Sequence, residues 1–230
     1  MHIPDGYLSP QTYLPLFGVF IGAIAVAVKK VKKEVPARNI PYLGMAAAFS
    51  FIIMMFNLPV PGGSSGHAVG SALIAILFGP WAAMISVSVA LVIQALIFGD
   101  GGITAIGANC FNMAVFMPLI AWFIFRLICG KSRAPRRIVV AAFFAGYLSL
   151  VLSAILTGVE FGIQPLIASG ADGRALYCPY DLKIAIPAMA VEHLLLFGIV
   201  EGVITALIVQ YFVRQHQIMI YAFRTTGTDE

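Results

Sequence analysis

Two histidines sit where metal chemistry is open to them. The chain begins Met1-His2-Ile3-Pro4-Asp5-Gly6, and His67 closes the run Pro61-Gly62-Gly63-Ser64-Ser65-Gly66-His67; these are two of only four histidines in 230 residues. A bulky histidine at the second position disfavours removal of the initiator methionine, so Met1 is expected to begin the mature protein and, once deformylated, to offer a free amine. That amine and the backbone nitrogen of His2 close a five-membered ring around a metal ion, and the same backbone nitrogen closes a six-membered ring with Nδ1 of His2. Three nitrogens then share a plane, and the imidazole of His67 can fill the remaining equatorial position. Tetragonal nitrogen coordination is diagnostic of Ni(II) or Cu(II), the ions best able to displace an amide proton. The glycines before His67 allow positive φ and close backbone approach, and ten residues reach about 33 Å when extended. Met1 can therefore fold back to meet His67, with Pro4 and Pro10 restricting the segment between. Both histidines also admit plainer roles, since N-terminal histidines commonly extend into solvent and loop histidines commonly bond backbone.

The other polar residues carry less specific signals. Glu192 and His193 fall within the last apolar segment, where an ionisable group is a functional candidate by default. Glu201 lies nine residues beyond Glu192, on the opposite helix face at about 100° per residue, so the two do not make one carboxylate site. Glu201 is expected to face a neighbouring helix or a partner. Asn109 and Asn112 are placed either to bond the free nitrogen of His67, as metal-bound histidines require, or to stitch helices together. The three cysteines, Cys110, Cys129 and Cys178, are odd in number and lack CxxC spacing, which leaves any metal to nitrogen and oxygen ligands. Cys178 is expected to be an idle external thiol and His216 a solvated residue of the tail. Gly130-Lys131-Ser132 imitates the end of a phosphate loop, but Phe125 stands where that loop needs glycine. The Glu192-His193 pair belongs to no HExxH motif.

The elements that hold these groups must be membrane helices. Hydrophobic residues make up 60% of the chain and charged residues 10%, with a mean hydropathy of +0.95, far from soluble averages. The net charge of +4 comes from short basic clusters flanking apolar runs, the pattern of membrane topology rather than of a nucleic-acid surface. A span needs about 20 residues, so the charge-free run from 39 to 99 is too long for two. Turn chemistry at residues 58–63 and at Gly79-Pro80 divides it into helices over about 40–57, 68–79 and 81–98. With 11–28, 101–125, 138–159 and 184–213, the expectation is an all-α membrane protein of seven helices, the third one short. An external N-terminus and seven passes put 12 of the 14 Lys and Arg inside, leaving Arg174 and Lys183 outside; six passes would split them evenly. Residues 160–183 then form an outer loop, and the C-terminus lies inside.

With these residues in hand, the sequence resembles the substrate-binding membrane subunits, or S-components, of energy-coupling-factor nickel and cobalt transporters, the CbiM/NikM family. The opening Met-His-Ile-Pro-Asp-Gly-Tyr-Leu-Ser-Pro and the loop ending in His67 match its two hallmark segments, and the hydropathy agrees over nearly the whole chain. The resemblance implies one transmembrane domain over 1–230: a metal-binding segment 1–10, an extra N-terminal helix 11–28, a six-helix core 40–213 and a cytoplasmic tail 214–230. It implies an ion held by the Met1 amine, the amide and imidazole nitrogens of His2, and His67. It further implies a coupling transmembrane subunit, two cytoplasmic ATPase subunits and, in some systems, a small accessory membrane subunit, with Gly44 and Ala48 on the docking face. The expected function is therefore capture of Ni(II) as transported substrate, with Co(II) the competing cargo. No catalytic cofactor and no ATPase of its own are expected. A metal-dependent membrane enzyme and a stand-alone channel are the readings from other classes. Planar four-nitrogen coordination leaves little open position for catalysis, and the apolar spans offer too few polar groups to line a pore.

Overall fold

The computed structural model describes residues 1–60 and 64–215. Pro61, Gly62 and Gly63 of the glycine-rich loop, and the tail from His216 onward with Arg224, lie outside the described residues.

Proline opens three of the long helices, where its missing N–H costs nothing: α1 (Pro10–Glu34), α4 (Pro80–Phe98) and α6 (Pro135–Gly162). Helix α1 runs past the expected end at 28 because Lys29, Lys30, Lys32 and Lys33, good helix formers and all exposed, extend it beyond the apolar stretch. Helix α2 (Ile40–Met54) ends before the expected 57. It gives way to a two-stranded antiparallel hairpin, β1 (Leu58–Val60) and β2 (Ser64–Gly66), with Leu58 opposite Gly66. The hairpin lies where the sequence placed an outer loop with turn chemistry, and the membrane-spanning part is all helical.

Helix α3 (Ser71–Phe78) is shorter than the expected 68–79 because it is bracketed by Gly70 at φ 75° and Gly79 at φ 94°, conformations that end regular helix in both directions. Its eight residues span about 12 Å, well under the roughly 30 Å of a bilayer core. Every residue from Ser71 to Leu77 is buried, among α4, α5 (Ile106–Cys129), α6 and α7 (Leu182–Arg214). Helix α5 starts at Ile106 rather than 101 because Gly99 and Gly101, both at positive φ, make residues 99–102 a turn. Glu160, expected in the outer loop, lies inside α6 and is buried, and so is Cys178, expected as an exposed thiol. Among the described residues six helices are long and apolar enough to cross a membrane, which makes this a multi-pass membrane protein.

Helix α6 is the spine, packed against α5 and α7, while α2 lies on α4 and α1 leans on α4 and α5. Only Thr12, Phe20 and Ala27 of α1 are buried, so that helix borders the bundle. The α6–α7 contact depends on glycine. A Cβ at Gly202 would stand 2.9 Å from the carbonyl oxygen of Phe143, and one at Gly146 would stand 3.1 Å from the Cα of Gly202. Close backbone approach of this kind is how membrane helices gain packing energy. Replacing Gly202 by Val is expected to push α6 and α7 apart and to destabilise the protein by about 1–3 kcal/mol, read as a lowered thermal unfolding midpoint in detergent. Wild-type thermal stability would show that the crossing tolerates a side chain.

Candidate metal centre

The first nine residues fold back into the bundle rather than trailing into solvent. Met1, His2, Ile3 and Leu8 are all buried. The pinning is polar: Ile3 N–H donates to Asn109 Oδ1 at 2.8 Å, Asn109 Nδ2 donates back to the Ile3 carbonyl at 3.1 Å, and Gly102 N–H reaches the same carbonyl at 2.8 Å. Asp5 then accepts from the backbone N–H of Ile103 at 3.1 Å and of Thr104 at 2.8 Å, and from the Thr104 hydroxyl. These bonds satisfy donors in the turn that leads into α5, and the Thr104 hydroxyl holds the Asp5 carboxyl below its usual range. A Cβ at Gly102 would collide with the Asp5 backbone, and one at Gly101 would press on Asn109 Nδ2 and His2. Residues 99–102 are therefore shaped to receive residues 2–5.

His67 arrives from the other side. Gly66 ends β2 with its Cα against Phe197, where any Cβ would overlap the aromatic ring. The imidazoles of His2 and His67 stack with centroids 4.5 Å apart and planes 27° from parallel. His67 Nδ1 lies 3.0 Å from the Ala68 carbonyl oxygen, and since a carbonyl can only accept, Nδ1 carries the proton and Nε2 the lone pair. Asn109 and Asn112, considered as partners for His67, have other roles. Asn109 holds Ile3, and Asn112 Nδ2 donates to Glu160 Oε2 at 2.8 Å.

Around this pair the ordinary rule that buried polar atoms are paired fails repeatedly. His2 Nδ1 and Nε2, His67 Nε2, His193 Nε2 and both amide atoms of Gln94 are buried without a hydrogen-bond partner among the described residues. His2 Nδ1 stands 3.3 Å from Asp100 Oδ1 without hydrogen-bond alignment, and Gln94 lies beside the same ring. Burial pushes the Met1 amine down to about 5, against the pull of Glu192 and Asp100, and pushes His2 down to about 3. At neutral pH the Met1 amine and His2 are thus uncharged, with buried lone pairs. Among the described residues no three His, Cys, Asp or Glu side chains converge as a metal site.

From the sequence alone Gln94 was not singled out, and Glu201 was placed against a neighbour that was not named. Gln94 is wholly buried in a π turn, Gln94–Phe98, and its isolation in an apolar helix was the available signal. Glu201, 1% exposed, does face a neighbouring element: its carboxylate accepts from Val69 N–H at 2.8 Å and from Gly70 N–H at 3.0 and 3.1 Å.

The family described as cobalt uptake substrate-specific transmembrane region matches residues 2–218. The chain belongs to this family. It is 46% identical over all of its length to the fused nickel transport protein NikMN of Rhodobacter capsulatus, of which it covers 67%. It is 48% identical over 93% of its length to the probable fused nickel transport protein LarMN of Lactiplantibacillus plantarum, of which it covers 65%. The chain thus spans about two thirds of these fused relatives. A crystal structure titled a transition metal transporter superposes with a TM-score of 0.90 at 44% identity, covering 99% of this chain and 98% of that one.

The Glu201 bonds give a direct test of how the His67 segment is held. In Glu201→Ala the amide protons of Val69 and Gly70 lose their acceptors, and their hydrogen exchange is expected to accelerate at least about tenfold, with about 1–3 kcal/mol of stability lost. Glu201→Gln keeps one acceptor oxygen and loses less. Exchange as slow as in the wild type would mean that the segment is held by packing alone.

Proposed function

We propose that this chain is the metal-capturing membrane subunit of an ATP-driven nickel uptake transporter. It binds Ni(II) at the outer face through the Met1 amine, the amide nitrogen and Nδ1 of His2, and Nε2 of His67. The observation that carries the reading is the stacked, buried pair of His2 and His67, with unpartnered ring nitrogens beside a neutral Met1 amine. Metal ligation explains why lone pairs are kept dry and unpaired. Nickel is preferred because planar nitrogen coordination with a deprotonated amide suits Ni(II) better than Co(II). Cobalt is the second reading, favoured by the family's own description.

The N-terminus lies outside, residues 1–10 form the metal-binding segment, and the chain makes seven passes. What supports seven is the stretch from His67 to Phe78, buried nearly throughout. Its four non-helical residues add at most about 13 Å at full extension to the roughly 12 Å of α3, which together approach the thickness of a bilayer core. Non-helical backbone at that depth is tolerated where it is enclosed by protein, and Glu201 satisfies the Val69 and Gly70 N–H groups. Transport then needs a coupling membrane protein, two cytoplasmic ATPases and, in some assemblies, a small accessory membrane subunit. Gly44 and Ala48 are exposed on α2 with open space beside Gly44, a flat face for a partner helix.

Adding one residue before Met1 converts the amine to an amide and is expected to abolish high-affinity nickel binding in calorimetry. His2→Ala and His67→Ala should each cost more than the 10- to 100-fold typical of losses behind the ligands. Equal affinity of extended and native protein would end the amine-ligand reading. The nickel complex should be diamagnetic, and the cobalt reading gains if Co(II) outcompetes Ni(II) at equal concentration.

Proton counting gives a sharper check. With the amine lowered to about 5 and His2 to about 3, neither carries a proton at pH 7, so nickel binding should release one proton, from the His2 amide. Affinity should then rise about tenfold per pH unit between 6 and 8, and steepen below about 5 as protons also compete for the amine. An amine of ordinary pKa, about 8, would release nearly one proton more at pH 7. A release near two, measured in buffers of different ionisation enthalpy, would contradict the buried neutral amine.

For the partner reading, Gly44→Trp should block nickel accumulation in cells that express the partners while leaving binding by the purified subunit intact. Concentrative uptake by the subunit alone would remove the need for an ATPase.

A further inference from the structure

The four-nitrogen reading leaves one buried imidazole unexplained. His193 is wholly buried on α7, its Nδ1 donating to the Met189 carbonyl at 2.8 Å and standing 3.2 Å from Glu192 Oε1. The carbonyl fixes the proton on Nδ1, so the lone pair sits on Nε2, which has no partner among the described residues. His67 has the same arrangement, with Ala68 in the place of Met189. A carbonyl or carboxylate behind one ring nitrogen is what fixes a histidine whose other nitrogen binds metal.

The position of His193 ties it to the same place. It begins a π turn, His193–Phe197, an uncommon form frequent at functional sites. Its ring lies 5.4 Å from that of Phe197, and Phe197 is the ring that covers Gly66, the residue before His67.

We propose that His193 Nε2 is a second metal-ligating position, which holds a divalent transition-metal ion together with His67 Nε2 as the ion leaves the N-terminal nitrogens. The proposal rests on the reading of Met1, His2 and His67 as the capture site and adds the group that receives the ion from it. Imidazole nitrogen suits nickel, copper and zinc alike, so a histidine pair is a weaker, less selective station than the planar chelate. That is the order of affinities a release path needs.

Copper(II) added to the purified full chain is the probe, in a His2→Ala background that removes the chelating imidazole. Electron paramagnetic resonance counts the bound nitrogens through their superhyperfine splitting, and titration gives the affinity. The His2→Ala protein is expected to bind copper. Adding His193→Ala, or His193→Gln, should remove one nitrogen and weaken binding more than tenfold, and adding His67→Ala should do the same. The glutamine variant keeps bulk and polarity and stands in if the alanine variant does not fold, as judged by thermal unfolding. An unchanged nitrogen count and affinity on replacing His193 overturns the proposal, and so does a folded His2→Ala protein that binds no copper. Failure of the capture-site reading would look different: nickel binding by the otherwise unmodified chain would survive an added residue before Met1, whatever His193 does.

Discussion

A short non-helical stretch of main chain, residues 67–70, is buried in the interior, and its N–H groups must find acceptors there. Leaving such groups unsatisfied in a dry interior costs more than any single packing contact returns. Glu201 resolves the problem from across the bundle, its carboxylate taking the Val69 and Gly70 N–H groups. Once that bond is made, α3 can begin at Ser71, His67 is fixed one step above, and Phe197 settles over Gly66. The arrangement of α3 among four neighbouring helices depends on where this carboxylate sits on α7.

The second side of the site obeys a parallel logic with different chemistry. Residues 1–5 have no helix to carry them, so they borrow the end of α4 and the start of α5. Asn109 reads the Ile3 backbone as a strand neighbour would, and Asp5 completes the hydrogen bonds of Ile103 and Thr104. Three π turns, Gln94–Phe98, Phe111–Phe116 and His193–Phe197, interrupt three of the long helices. The first and third bring a buried polar side chain, Gln94 and His193, to the neighbourhood of His2 and His67. A regular helix there would carry the chain past the pocket without the added residue that each turn inserts.

Much of this was legible in the sequence because a bilayer imposes one-dimensional rules. Runs of apolar residues gave the helices to within a few residues, and the proline and glycine pairs divided the long run from 39 to 99 in the right places. The juxtaposition of His2 and His67 was legible because the chemistry of an N-terminal chelate demanded a fourth nitrogen from elsewhere. The boundaries of α5 and the burial of Glu160 and Cys178 were not, since they depend on turns and neighbours that hydropathy does not see. The Glu201 contact was opaque for a plainer reason. Its partners are backbone N–H groups 131 and 132 residues away, and backbone has no signature in a sequence.

The sparse packing of α1 has an evolutionary reading. Only three of its side chains are buried, and the nine residues before it are held mostly from outside α1, by Asn109, by the turn at 102–104, by Cys178 N–H on the Tyr7 carbonyl and by Gln164 on Ser9 N–H. Its lipid-facing positions can therefore exchange one apolar residue for another over generations with little consequence, whereas the short segment preceding it has almost no freedom to drift. A stretch of near-invariant residues should be succeeded at once by one of the most permissive in the protein, with the border at Pro10.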